Sequence, residues 1–190
     1  MGEEASPIII ADPQYFDLFK YQWLQGNPAT ALTEPFKVVL SENEADKYFG
    51  PGGSANAVGK TILYRDVVLS DSLTLTVSGV VKDWNKNTDF GFKDFISSAT
   101  IGHSFLKDIF RYNHWGNWNG TAQGFVKLAK GTSMQQVEKQ FPAFVQRHIP
   151  PYPGHTVRLK LQPLNDVHFN SNYHDFYSRK AHLPTLYGLI

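Results

Sequence analysis

The run Leu73 to Asp83, LTLTVSGVVKD, constrains the fold most, because no other segment alternates apolar and polar residues for as long. Leu73, Leu75, Val77, Gly79 and Val81 fall on one side of a period-two ladder, and Thr74, Thr76, Ser78 and Lys82 fall mostly on the other. The pattern predicts a half-buried strand with Val77 and Val81 in a core. Gly79 interrupts the apolar side, where a bulge or a close backbone approach is expected, and Asn85 to Asp89 supplies turn formers that end the run. Nothing in this strand is a catalytic group, which turns attention from enzymes toward binding or mechanical modules.

A chain of 190 residues with 42% hydrophobic content can bury a core as one large domain or two small lobes. Its net charge of +1 comes from scattered Lys and Arg, so there is no basic stripe to neutralise phosphates, and nucleic acid is not an expected partner. Cysteine is absent. That excludes disulfides and thiol chemistry but leaves the compartment open. No apolar run is long enough to span a bilayer. The final segment, Leu183 to Ile190, is apolar and lacks a stop signal; it reads either as the approach to a membrane helix or as a C-terminal strand.

In chain order, Ile8 to Ile10 is a short strand, and Asp12-Pro13 offers an N-cap with proline at the first helical position. A helix is expected there, with Phe16, Phe19 and Trp23 sharing an anchoring apolar face. Phe36 to Leu40 is a strand. Ser41 and Glu44 form a capping box for a helix to Phe49, which Gly50 ends, and Ala45, Tyr48 and Phe49 are its buried stripe. Thr61 to Arg65 and Phe90 to Ile96 read as strands, the latter with Phe90, Phe92 and Asp94 opposite Gly91, Lys93 and Phe95. Helical spacing of Ile101, Phe105 and Ile109 predicts a helix over Thr100 to Phe110. Thr121 to Leu128 is expected as a strand. A helix from Met134 follows, capped through Thr132 with Gln135 or Ser133 with Gln136 and interrupted at Pro142, and a further strand covers Thr156 to Leu161.

Several stretches bear on chemistry. Gly52 to Thr61, GGSANAVGKT, resembles a phosphate loop, but five residues separate Gly53 from the Gly59-Lys60 pair where four are needed, and a helix precedes it instead of a strand. A turn leading into a strand is the expected structure. The loop Tyr112 to Asn119, YNHWGNWN, gathers Trp115, Trp118, Asn117 and Asn119. Exposed aromatics flanked by amides are what a sugar-binding platform uses, so these four residues are the candidate ligand or partner contacts. The competing reading has the tryptophans plugging a core while the asparagines satisfy turns. His168, His174 and His182 have no zinc-ligand spacing, and neither a nucleophile elbow nor a logical pairing of carboxylates is visible. No catalytic, cofactor or metal residue is therefore assigned.

The succession DPQYFDLF, GNP, EPFKVVLSENEADKYFG, VGKTI, LTVSGVVKDW, GFVKLAKGTS and LQPLNDVHF resembles the MacB-like periplasmic core domain of ABC transporter permeases, within the FtsX-like permease family of Bacteroidetes type. The resemblance covers nearly the whole chain. It implies an α+β fold in which residues 1–35 and 119–182 form a porter-like lobe, residues 36–118 form an inserted strand-rich lobe, and residues 183–190 approach a transmembrane helix. It also implies that an opening strand and helix of the family domain precede Met1. By the same resemblance the domain is non-catalytic and transmits conformational change driven by a separate cytoplasmic ATPase. A homodimer in the inner membrane and a periplasmic or outer-membrane partner are implied too. The alternative is a secreted glycan-binding module using Trp115 and Trp118.

Overall fold

In the computed structural model the described residues are 8–65, 71–84, 90–111, 114–115, 122–151, 153–167 and 169–170. The chain divides into two compact units, residues 1–111 and 112–190.

The first unit is built on a six-stranded mixed sheet. Its strands are β1 (Ile8–Ala11), β2 (Trp23–Gly26), β3 (Lys37–Ser41), β4 (Thr61–Arg65), β5 (Ser72–Val81) and β6 (Asp94–Ser97), and α1 (Tyr15–Leu18) and α2 (Glu42–Phe49) lie between them in sequence. The strand order is β1-β6-β3-β5-β2, with β4 pairing to β5 off this path. β1 runs parallel to β6 and β3 parallel to β5, whereas β3–β6, β2–β5 and β4–β5 are antiparallel. Thus β5, the longest strand, holds three others. Residues 8–26, grouped by sequence with a separate lobe, supply β1 and β2 to the same sheet as the strands of residues 37–97.

Both faces of this sheet are covered, so β3 and β6 are buried over nearly their whole length and not on alternate residues. Val38 pairs with Ile96 and Val39 with Phe95, so each strand sends alternate residues to opposite sides. On one side Val38, Leu40, Leu73, Leu75, Val77, Val80 and Ile96 pack with Ala45 of α2 and with Ala57. On the other, Phe95 meets the rings of Tyr15, Phe16 and Tyr21, at centroid distances of 5.5, 5.1 and 5.3 Å. An aliphatic layer and an aromatic layer therefore sandwich the central strands.

The bulge expected in β5 is present. Val38 pairs with Val77 and Val39 with Gly79, leaving Ser78 as the extra residue, its hydroxyl 2.7 Å from the Ala31 carbonyl and 3.1 Å from that of Val38. Beyond the bulge the alternation is lost, and Val80 and Val81 are both fully buried. Gly79 is also a site of close approach: a Cβ there would lie 2.4 Å from Cζ3 of Trp23. Directly opposite sits Gly26, whose φ of 86° and whose contact with the Ser78 carbonyl leave no room for a side chain.

Helix α2 starts as predicted, with the Ser41 hydroxyl accepting from the Glu44 amide. The reciprocal half of the capping box is not made: the Ser41 amide donates to the Lys93 carbonyl at 2.7 Å, and the Glu44 carboxylate faces Lys47 and Lys93. Its apolar stripe is narrower than expected. Ala45 is fully buried and Phe49 is partly buried against the core, but Tyr48 is 38% exposed.

Other expectations change. The helix after Asp12 is a single turn, α1, capped by no side chain; the Asp12 carboxylate instead accepts from the Ser98 hydroxyl at 2.6 Å. Trp23, placed by spacing on that helix, begins β2 and still packs on Phe16 at 4.9 Å. The aromatic cluster was legible, but strand pairing with β5 overrides the helical spacing. β6 begins at Asp94, with residues 90–93 outside it. The helix expected over Thr100 to Phe110 is a 3-10 segment, Ser98–His103, followed by α3 (Leu106–Phe110), so Ile101 is buried while Ile109 is 43% exposed.

The second unit contains α4 (Met134–Glu138), α5 (Phe141–His148) and α6 (Leu164–Val167). Ser133 and Gln136 make the full capping box, and Pro142 divides the expected long helix by falling in the first turn of α5, where its missing N–H costs nothing. The Glu138 side chain turns to accept from the Leu161 amide at 2.8 Å. Among the described residues, neither 122–128 nor 156–161 forms a strand, so the strand-helix-strand unit expected there is not seen. Alternation alone does not make a strand without a neighbour to complete its hydrogen bonds.

Candidate functional site

The glycine-rich segment after α2 is closed on itself. Residues Gly53–Asn56 form a 3-10 turn in which the Gly53 and Ala55 amides donate to the Gly50 and Gly52 carbonyls, and the Ser54 amide donates to Asp46 Oδ1 at 2.7 Å. That hydrogen bond holds the Asp46 carboxyl below the usual carboxylate range. Farther along, the Gly59 and Lys60 amides donate to the carbonyls of Val77 and Ala57. The amides of Gly53, Ser54, Ala55, Gly59 and Lys60 are thus taken by protein oxygens, one of them already an anion. Lys60 Nζ rests 4.7 Å from the centroid of the Phe49 ring, and the segment continues into β4. It is a turn into a strand, as its spacing implied.

The most polar interior site is one that spacing did not reveal. Asp94, at the start of β6, is fully buried on the aliphatic side of the sheet opposite Leu40. Its Oδ2 accepts from the hydroxyl of Tyr64 on β4 at 2.5 Å and from that of Tyr48 on α2 at 2.9 Å, and the two hydroxyl oxygens are 3.5 Å apart. Among the described residues Oδ1 has no hydrogen-bond partner. Burial pushes the Asp94 carboxyl above the usual range against the pull of the two tyrosines. Tyr48 is pushed up to about 12, first by burial, with the Asp94 charge adding to it. Tyr64 is raised further for the same reasons. Nearby, the buried Glu44 carboxylate lies 4.0 Å from Lys47 and 3.9 Å from Lys93. The one signal in sequence was the place of Asp94 on the apolar side of its alternation.

The predicted contact residues are only partly placed. Trp115 is 52% exposed, and its ring packs against Phe144 at 5.4 Å and His148 at 4.7 Å, both on α5. Asn117, Trp118 and Asn119 lie outside the described residues, as do His168, His174, His182 and the segment 183–190. Among the described residues, no three His, Asp or Glu side chains gather as a metal site, and no helix is long and apolar enough to cross a membrane.

A mixed sheet with unlike layers on its two faces, flanked by short helices, makes this an α+β domain. The family model for the MacB-like periplasmic core domain matches residues 2–144, and the chain belongs to that family. Among solved structures it is similar to a domain described as a permease protein from Porphyromonas gingivalis, with a TM-score of 0.51 and 20% identity over 74% of this chain and 58% of that one. The periplasmic region of MacB from Actinobacillus actinomycetemcomitans is 17% identical, with a TM-score of 0.46 over 74% of this chain and 55% of that one. The chain thus spans a little over half the length of these structures. No curated protein matches it significantly.

Proposed function

We propose that this chain is a non-catalytic extracytoplasmic domain of a MacB-like ABC transporter permease, carrying ATP-driven conformational change from the membrane to a substrate or partner in the periplasm. The observation that carries the reading is the family match over residues 2–144. The energy enters elsewhere, at a cytoplasmic ATPase joined to this domain by membrane helices, and the working transporter is a homodimer in the inner membrane. A periplasmic or outer-membrane protein receives the motion. A domain of this kind needs two arrangements and a surface, and no reacting groups.

The absence of cysteine makes the test direct. Spin labels at Thr61→Cys in the first unit and Lys139→Cys in the second, both exposed positions, report the distance between the two labels in a reconstituted, otherwise cysteine-free transporter. The distance distribution is expected to differ between the nucleotide-free and vanadate-trapped states. An unchanged distribution in a transport-competent protein would overturn the reading. The half-exposure of Trp115 favours a second reading, a glycan contact. Quenching of tryptophan fluorescence by oligosaccharides, lost in Trp115→Ala, would support it.

A further inference from the structure

We propose that Asp94 is a proton-operated latch: one buried carboxyl group fastens α2 and β4 to the start of β6, and it grips most firmly when it carries a proton on Oδ1. Three elements distant in sequence meet at this side chain through the hydroxyls of Tyr48 and Tyr64. Both hydrogen bonds fall on Oδ2, and no donor reaches Oδ1 among the described residues. Ionisation therefore places negative charge on a fully buried group with one oxygen that no protein donor reaches among the described residues, whereas a proton on Oδ1 removes that charge and leaves Oδ2 as a carbonyl acceptor for the same two hydroxyls.

The surrounding charges do not reverse this. From α2 come Glu44, Lys47 and Tyr48, from β4 comes Tyr64, and from the residue before β6 comes Lys93, while β3 presents Leu40. Both lysines lie within ion-pairing distance of Glu44, and neither is paired with Asp94. Burial is the largest influence on Asp94, and it favours the neutral acid.

The sign follows from linkage. When the latch opens, Asp94 meets water and titrates in the ordinary carboxylate range; when closed, it titrates higher. Closing therefore takes up a proton between these two values. The latch is fully stabilised below the ordinary range and loses that stabilisation as pH rises through the closed-state value. An extracytoplasmic domain experiences the pH of its surroundings, so acidification would fix α2 against the sheet and a rise in pH would loosen it. The proposal does not depend on the transport role.

The test is amide hydrogen exchange of residues 42–49 in the full chain, corrected for intrinsic rates, across the carboxylate range. Protection of α2 is expected to rise as pH falls, by up to about tenfold per pH unit. Asp94→Asn should hold protection high and flat with pH. Tyr48→Phe, which removes one hydroxyl and keeps the ring, should raise the Asp94 titration seen by carboxyl carbon NMR, and it keeps the idea testable should the Asn variant not fold. Asp94 titrating with exposed carboxyls, or α2 protection that ignores pH in the parent chain, would overturn the proposal.

Discussion

Replacing Gly79 with alanine should destabilise the first unit, and the cost should belong to a single ring. The Gly79 backbone is not in the left-handed region, so alanine is conformationally acceptable and, by restricting the unfolded chain, would by itself add roughly 0.4–1 kcal/mol of stability. Against this, the new Cβ would stand 2.4 Å from Trp23 Cζ3 and 3.2 Å from the Gln25 carbonyl oxygen. Carbon atoms rest about 3.5–4.0 Å apart, so the indole must retreat by about 1 Å from its place against Phe16. Overpacking of this kind costs about 1–3 kcal/mol. The net loss is then about 1.3 kcal/mol at the middle of these ranges and at most about 2.6 kcal/mol, the mid-range value being roughly 3–5 °C in melting temperature for a chain of this size. Urea denaturation followed by far-ultraviolet circular dichroism, reading the transition that carries the sheet signal, would measure it. The decisive comparison is a double-mutant cycle with Trp23→Ala. Without the indole, Gly79→Ala should become neutral or slightly stabilising, giving a coupling of at least about 1 kcal/mol. An equal loss in both backgrounds would refute the reasoning and place the cost in the backbone.

Two further outcomes are expected. Val77→Asp should cost on the order of 3 kcal/mol or more, because Val77 is almost wholly buried among Val38, Leu75 and Val80, where a carboxylate finds no partner; an unchanged melting temperature would show that its surroundings are misjudged. The chain should show no Mg-ATP binding by calorimetry, since Asp46 occupies the Ser54 amide and the amides of Gly53, Ala55, Gly59 and Lys60 are paired with backbone carbonyls; binding that Lys60→Ala abolishes would contradict this.

What could be read from the sequence was what local pattern alone determines. The strand at 73–81, its irregularity at Gly79, the Ser41 cap of α2, the Ser133–Gln136 capping box and the break at Pro142 are each set by a few adjacent residues, and each is present. Failures came where a distant partner decides. Trp23 has helical spacing to Phe16 and Phe19 but is held in β2 by pairing with Val81, more than fifty positions away. The reverse holds for residues 122–128 and 156–161, whose alternation found no strand among the described residues to pair with.

The Asp94 site failed to show in sequence for a related reason, and it says something about where polar chemistry sits in such a domain. Its three members come from β6, α2 and β4, so no spacing rule joins them, and each has an ordinary local explanation: a turn-proximal aspartate, a helix tyrosine, a strand tyrosine. Only the pairing β6–β3–β5–β4, with α2 laid on the same side, brings them together. Once assembled, the burial of Asp94 without a cation of its own is a cost that a stable scaffold would avoid, since an apolar residue in its place would satisfy the same layer. Tyr48 and Tyr64 supply part of the compensation, but Oδ1 is left over. A carboxyl group placed so that its neutral form fits better than its charged form makes the attachment of α2 depend on protons. That dependence gives the domain a means of changing rigidity at one place while the aromatic layer on the far side of the sheet, where Phe95 packs tilted and edge-on against Tyr15, Phe16 and Tyr21, holds the strands in register.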